Sequence, residues 1–170
     1  MARAGLKGWL FILALVGCQR PAPVNIQKAE PEPSAFTGSK AGDEREVAGV
    51  RLCWCPPGSF TMGSPPGEIG REASEGQVSI RLDQGFWIGQ CEITQGEWRQ
   101  IMGTTPWKGQ PYVREDPEGS AIHLSWNDAM AFCHILTTQE RDAERLPEGW
   151  EYTLPTEAQW EYACRAGTTT

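Results

Sequence analysis

Three times in this chain a hydroxyl side chain is followed three residues later by an acid or an amide, and then by apolar residues at helical spacing: Thr94 with Glu97, Ser125 with Asp128, and Thr156 with Gln159. Such a pair closes a capping box, in which each side chain satisfies a backbone N–H that the first turn leaves unpaired. The first box predicts a helix with Trp98, Ile101 and Met102 on one face. The second predicts a helix carrying Ala129, Phe132, Cys133 and Leu136 inward. The third predicts one with Trp160, Ala163 and Cys164 inward. Pro155 supports the third start, because proline disfavours helix in the residue before it. Gly167 is a suitable stop.

Between these starts the chain is heavily punctuated. Nineteen Gly and thirteen Pro in 170 residues favour a loop-rich domain over a helical bundle. Short strands are expected at residues 50–53 and 59–62, around the Pro56-Pro57-Gly58 turn. Residues 77–82 alternate polar and apolar, as a half-buried strand does, and residues 86–88 form another strand after Gly85. Residues 64–74 read as a Gly/Pro/Glu loop. Strands and helices do not alternate as βαβα, so the expected class is α+β. Trp87, Trp98, Trp126 and Trp160, four of eight tryptophans, are expected to fill a loop-dominated core.

The N-terminus reads as an export signal. Arg3 and Lys7 precede the apolar run of residues 9–16. Eight helical residues reach only about 12 Å, against a bilayer core of about 30 Å. A cleaved leader over residues 1–17 therefore fits better than a spanning anchor. Leu15-Val16-Gly17-Cys18 resembles a bacterial lipobox, which implies lipidation of Cys18 and attachment to a membrane of a bacterial envelope. Each buried CH₂ of an acyl chain contributes about 0.8 kcal/mol to that attachment. Residues 18–48 carry four prolines and little apolar periodicity, and are expected to form a disordered tether reaching about 30 Å. The folded domain is expected over residues 49–170.

Four segments in order resemble the formylglycine-generating enzyme family, also called sulfatase-modifying factors. They are Cys-Pro-Pro-Gly-Ser-Phe-Thr-Met-Gly-Ser over residues 55–64, Gly-Phe-Trp-Ile-Gly-Gln-Cys-Glu-Ile-Thr-Gln-Gly-Glu-Trp over 85–98, Ile-His-Leu-Ser-Trp-Asn-Asp-Ala-Met-Ala-Phe-Cys over 122–133, and Leu-Pro-Thr-Glu-Ala-Gln-Trp-Glu-Tyr-Ala at the head of 154–167. The motif positions carried over are Gly63, Trp87, Glu92, Thr94, Trp98, Ser125, Trp126, Pro155, Thr156, Glu157, Trp160 and Glu161. Thr153 and Cys91 depart from the family pattern, where an Arg and an aromatic residue are common. The resemblance implies an irregular, C-type-lectin-like fold. It also implies a domain incomplete at its C-terminus. The family continues with calcium-binding loops and a pair of cysteines that bind copper(I), and none of these segments is in the sequence. The resemblance therefore transfers no catalytic or metal residue, and no cofactor is assigned to this chain.

The remaining polar chemistry is sparse. Cys53 and Cys55 share one face of a strand, and could bind a soft metal or pair elsewhere. Five cysteines beyond Cys18 leave at least one unpaired. Cys133 and Cys164 read as core fillers. His123 and His134 lack a second histidine at ligand spacing. Glu92, Glu97, Glu157 and Glu161 read as capping and surface carboxylates near helix starts. A net charge of −7 with no basic stripe sets nucleic acid aside as a partner.

Three expectations follow. The chain is an exported, lipid-anchored family member without autonomous oxidase activity, needing a missing C-terminal half. Alternatively it is a lectin-like module binding a protein or glycan ligand, or a gene fragment without function.

Overall fold

The computed structural model describes residues 14–16, as backbone, and residues 36–168. Cys18 and most of the expected leader and tether lie outside them. The elements are β1 (Ala14–Val16), β2 (Glu44–Val47), β3 (Val50–Cys55), β4 (Gly58–Met62), β5 (Val78–Leu82), β6 (Phe86–Gly89), α1 (Gln95–Met102), α2 (Trp126–Asp142), β7 (Glu151–Thr153) and α3 (Glu157–Arg165). Among the described residues one sheet runs β2-β3-β6-β1-β7, antiparallel at each pairing, and β4 and β5 form a separate antiparallel pair. With few helices, small sheets and long connections, the class is α+β, as the sequence predicts.

All three capping boxes form, each N-cap residue being extended before its helix. The C-cap of α3 is Ala166, in the left-handed region, and Gly167 follows it at C′ with φ +87°, the stop that the sequence predicts. The strands flanking the Pro56-Pro57-Gly58 turn do not pair with each other. β3 lies between β2 and β6, whereas β4 leaves the sheet to pair with β5.

Folded structure begins well before residue 49, which corrects the expected extent of the tether. Phe36 is buried, its ring centroid 4.9 Å from that of Trp150, and its carbonyl accepts from Trp87 Nε1 at 2.8 Å. The Arg45 guanidinium lies 4.0 Å from the Phe36 ring centroid. Gly38 and Gly85 both abut the Trp54 indole, and a Cβ on either would overlap it. The sequence concealed this because β2 reads Glu-Arg-Glu-Val, with both glutamates exposed and only Val47 buried.

The sheet has an apolar layer on each face. Leu52, Trp54, Trp87 and Tyr152 join Trp98, Phe132 and Leu136 of the helices on one side. Cys55, Phe86 and Ile88 meet Tyr162 and Ala163 of α3 on the other. Trp98 stacks on Phe132 at 5.4 Å and 14°, locking α1 to α2. Rings of this size bury roughly 150–250 Å² each, so such contacts dominate the packing.

Two of the four tryptophans assigned to the core are not in it. Trp87 and Trp98 are buried, but Trp126 is 62% and Trp160 42% exposed. Cys164 is likewise exposed, whereas Cys133 is buried. In α3 the inward positions are Gln159, Tyr162 and Ala163, a stripe rotated from the one expected.

Candidate functional site

Helix α3 grips the end of β4 through a closed set of hydrogen bonds. The Gly63 N–H donates to Glu161 Oε1 at 2.8 Å. Arg165 Nη2 donates to the Gly63 carbonyl at 2.7 Å, and Arg165 Nε to Glu161 Oε1 at 2.8 Å. Both polar groups of one peptide segment are thus held by an i,i+4 ion pair whose side chains are only 15% and 20% exposed. Charge-assisted bonds of this kind are about twice as strong as neutral ones. Gly63 has φ +92°, and a Cβ there would lie 2.7 Å from the Gly76 carbonyl oxygen. The residue is therefore glycine for both conformation and space.

The clamp fixes one mouth of the loop over residues 63–76. Ser64 closes the other side, its N–H donating to the Glu75 carbonyl at 3.0 Å and its hydroxyl to Glu75 Oε2 at 3.1 Å. Arg71 Nε returns to the Ser64 carbonyl at 3.0 Å. Immediately after Glu161 on α3, the Tyr162 hydroxyl donates to the Pro56 carbonyl at 3.1 Å, and its ring meets Phe60 at 5.4 Å. Glu161 is thus more than the surface carboxylate its place in the sequence suggests. Tyr162 and Arg165 are missed by sequence reasoning altogether, since their partners lie some hundred residues away.

The other motif side chains are engaged locally. Thr94 and Glu97 exchange bonds at 2.7 and 3.1 Å. Ser125 and Asp128 do so at 2.8 and 3.2 Å, and the Ser125 hydroxyl holds the Asp128 carboxyl below its ordinary pKa. Thr156 and Gln159 exchange bonds at 2.9 and 3.2 Å, with Pro155 immediately before the cap. Glu92 accepts from the Ser120 hydroxyl at 3.4 Å. Glu157 is exposed in the first turn of α3. A shallow depression of about 260 Å³ lies between the β5–β6 turn and Gln159.

The thiols do not assemble. Cys53 and Cys55 share a face, opposite Ile88 and Phe86, as the alternation of the strand predicts. Burial pushes the Cys55 thiol up to about 12 and raises that of Cys53. Cys133 is pushed to about 12, again by burial. Burial thus disfavours the thiolate form of these groups. Among the described residues no three His, Cys, Asp or Glu side chains are placed to hold a metal ion, and their cysteines form no disulfide. His123 and His134 are both exposed.

A small sheet with few helices, joined by long glycine-rich loops whose motif side chains pin one another, defines a loop-built α+β domain. The chain belongs to the sulfatase-modifying factor enzyme 1-like domain family, whose model matches residues 39–170. The formylglycine-generating enzyme of Mus musculus is 24% identical over 170 aligned residues, covering 72% of this chain and 42% of the mouse protein. The inactive C-alpha-formylglycine-generating enzyme 2 of Bos taurus is 38% identical over 83 residues, covering 48% of this chain and 20% of that protein. The solved structure of PvdO from Pseudomonas aeruginosa superposes with a TM-score of 0.64 at 26% identity, covering 78% of this chain and 54% of PvdO. The chain spans less than half the length of these two curated relatives.

Proposed function

We propose that this chain is an exported family member, anchored through a lipid on Cys18, that carries no oxidase activity of its own and acts with a second polypeptide. The observation that supports it is what the motif residues do. Gly63, Thr94, Ser125, Thr156, Gln159 and Glu161 spend their polar groups on internal hydrogen bonds. They build a scaffold rather than a set of reactive groups. Purified full-length chain, supplied with copper(I), calcium and oxygen, is expected to leave a Cys-x-Pro-x-Arg peptide unchanged by mass spectrometry. Formation of the aldehyde would overturn the reading. Separately, Cys18→Ala is expected to move the protein from the membrane to the soluble fraction.

A second reading is favoured by one observation. Trp126 and Trp160 stand exposed at helix N-terminal turns, as aromatic rings do in peptide- or glycan-binding modules. Array binding that disappears in both Trp126→Ala and Trp160→Ala would support a binding module. Binding that survives both substitutions would remove it.

A further inference from the structure

Strand β1 occupies a place at odds with the leader character of its sequence. Ala14–Val16 belongs to the apolar run that reads as a cleavable signal, yet it lies inside the sheet with a neighbour on each side. It pairs with β6 through Ala14↔Ile88 and Leu15↔Trp87. It pairs with β7 through Ala14↔Thr153, Leu15↔Tyr152 and Val16↔Glu151. Removal of the leader would take this strand out of the middle of the sheet.

The gap left behind has a defined main-chain pattern. The Tyr152 N–H donates to Thr137 Oγ1 at 2.9 Å, and the Tyr152 carbonyl accepts from the same hydroxyl at 3.5 Å. The N–H and C=O of one strand residue point to the same side, and neighbouring residues alternate. Tyr152 therefore faces α2, while Glu151 and Thr153 turn their groups toward β1. By the same alternation the position of Leu15 faces β6, opposite Trp87.

The gap cannot close on itself. β6 and β7 are each antiparallel to β1, so they run in the same direction, two strand spacings or about 10 Å apart. β6 is held by its ladder to β3. β7 is held by Thr137, and by Arg141 Nη2 donating to the Trp150 carbonyl at 2.9 Å. Direct pairing would break the β7 contacts with α2.

We propose that the space between β6 and β7 is a strand-acceptor site, which takes an extended apolar segment of another protein, antiparallel to both, in place of Ala14–Val16. The row Trp54, Trp87, Tyr152 crosses the sheet on its core face, and all three are buried. The position between Trp87 and Tyr152 therefore requires an apolar side chain and a backbone N–H, which excludes proline. Main-chain bonds to Trp87, Glu151 and Thr153 supply affinity, as in other strand-addition complexes. This inference rests on the reading of residues 1–17 as a leader that is removed.

The test uses the full chain with a site-specific protease sequence inserted between Gly17 and Cys18. It is cut in the presence of a fluorescein-labelled peptide with the sequence of residues 10–16 and a solubilising lysine tail. Fluorescence anisotropy should show at least tenfold more peptide taken up by cut than by uncut chain. A peptide with proline at the Leu15 position should not bind. Amides of Trp87, Glu151 and Thr153 should exchange slowly with hydrogen isotope when peptide is present and faster after it is washed out. The uncut L15P chain should also accept the peptide. Equal uptake by cut, uncut and L15P chains, or amide exchange unaffected by peptide, would overturn the proposal. Dimerisation of cut chain with protected amides and no peptide uptake would assign the gap to a second copy, and would overturn it too. Because an added protease does the cutting, failure here leaves the anchor reading standing. That reading fails separately if protein recovered from membranes still carries residues 1–17.

Discussion

The amide of Gly63 donates to the carboxylate of Glu161 at 2.8 Å, across 98 residues of sequence. Arg165 completes the arrangement from the carbonyl side of the same glycine. A turn that needs glycine is thereby tied to a helix that supplies both an acceptor and a donor. The contact joins the first and last motif segments of the chain, and it sets how α3 lies on β4.

Glu161→Ala should leave the Gly63 N–H and the Arg165 guanidinium without their carboxylate partner in a mostly enclosed place. The expected cost is about 1–3 kcal/mol, read as a lower urea midpoint. Combined with Arg165→Ala, the double change should cost less than the sum of the two single ones, because the residues share one network. Strict additivity would mean that the clamp is not a unit.

Phe36→Ala should destabilise the domain by about 3 kcal/mol, the usual cost of removing a buried phenyl ring. Thermal unfolding would measure it. An unchanged midpoint would return residues 36–48 to the tether that the sequence suggests.

Alkaline pH should weaken the fold. Burial raises the Cys55 and Cys133 thiols to about 12, against an ordinary value of 9.0. The folded state keeps these protons where the unfolded chain releases them. Their contribution is therefore complete below pH 9 and is lost as pH rises from 9 towards 12. Each thiol removes up to about 1.4 kcal/mol per pH unit in that range. Denaturant titrations from pH 7 to 11 should show the fall, and C133A should reduce its slope.

Trp98→Ala should cost about 3–5 kcal/mol, since the indole stacks on Phe132 in the core. Trp126→Ala should change stability by less than about 0.5 kcal/mol, because the ring faces solvent. Acrylamide quenching of Trp126 in a chain whose other tryptophans are replaced by phenylalanine would check the exposure directly. Weak quenching would place that ring inside.

What the sequence determined by itself is local. A capping box spans four residues, so the starts of α1, α2 and α3 are written in Thr94, Ser125 and Thr156. The periodicity of α2 likewise identified Ala129, Phe132, Cys133 and Leu136 as its inner face. The four ordered motif segments were enough to identify the family.

Tertiary structure decided what depends on distant partners. Whether Trp160 or Tyr162 faces inward follows from where β4 and Pro56 lie, and helical spacing alone allows either. β2 and β7 are too short and too polar to announce themselves; β2 is set by the edge of β3, and β7 by its hydrogen bonds to α2 together with its pairing to β1. The apolar run at the N-terminus suits a leader and a strand equally well by composition. Its pairing with Trp87 and Tyr152 is set by backbone groups that no local pattern can reveal.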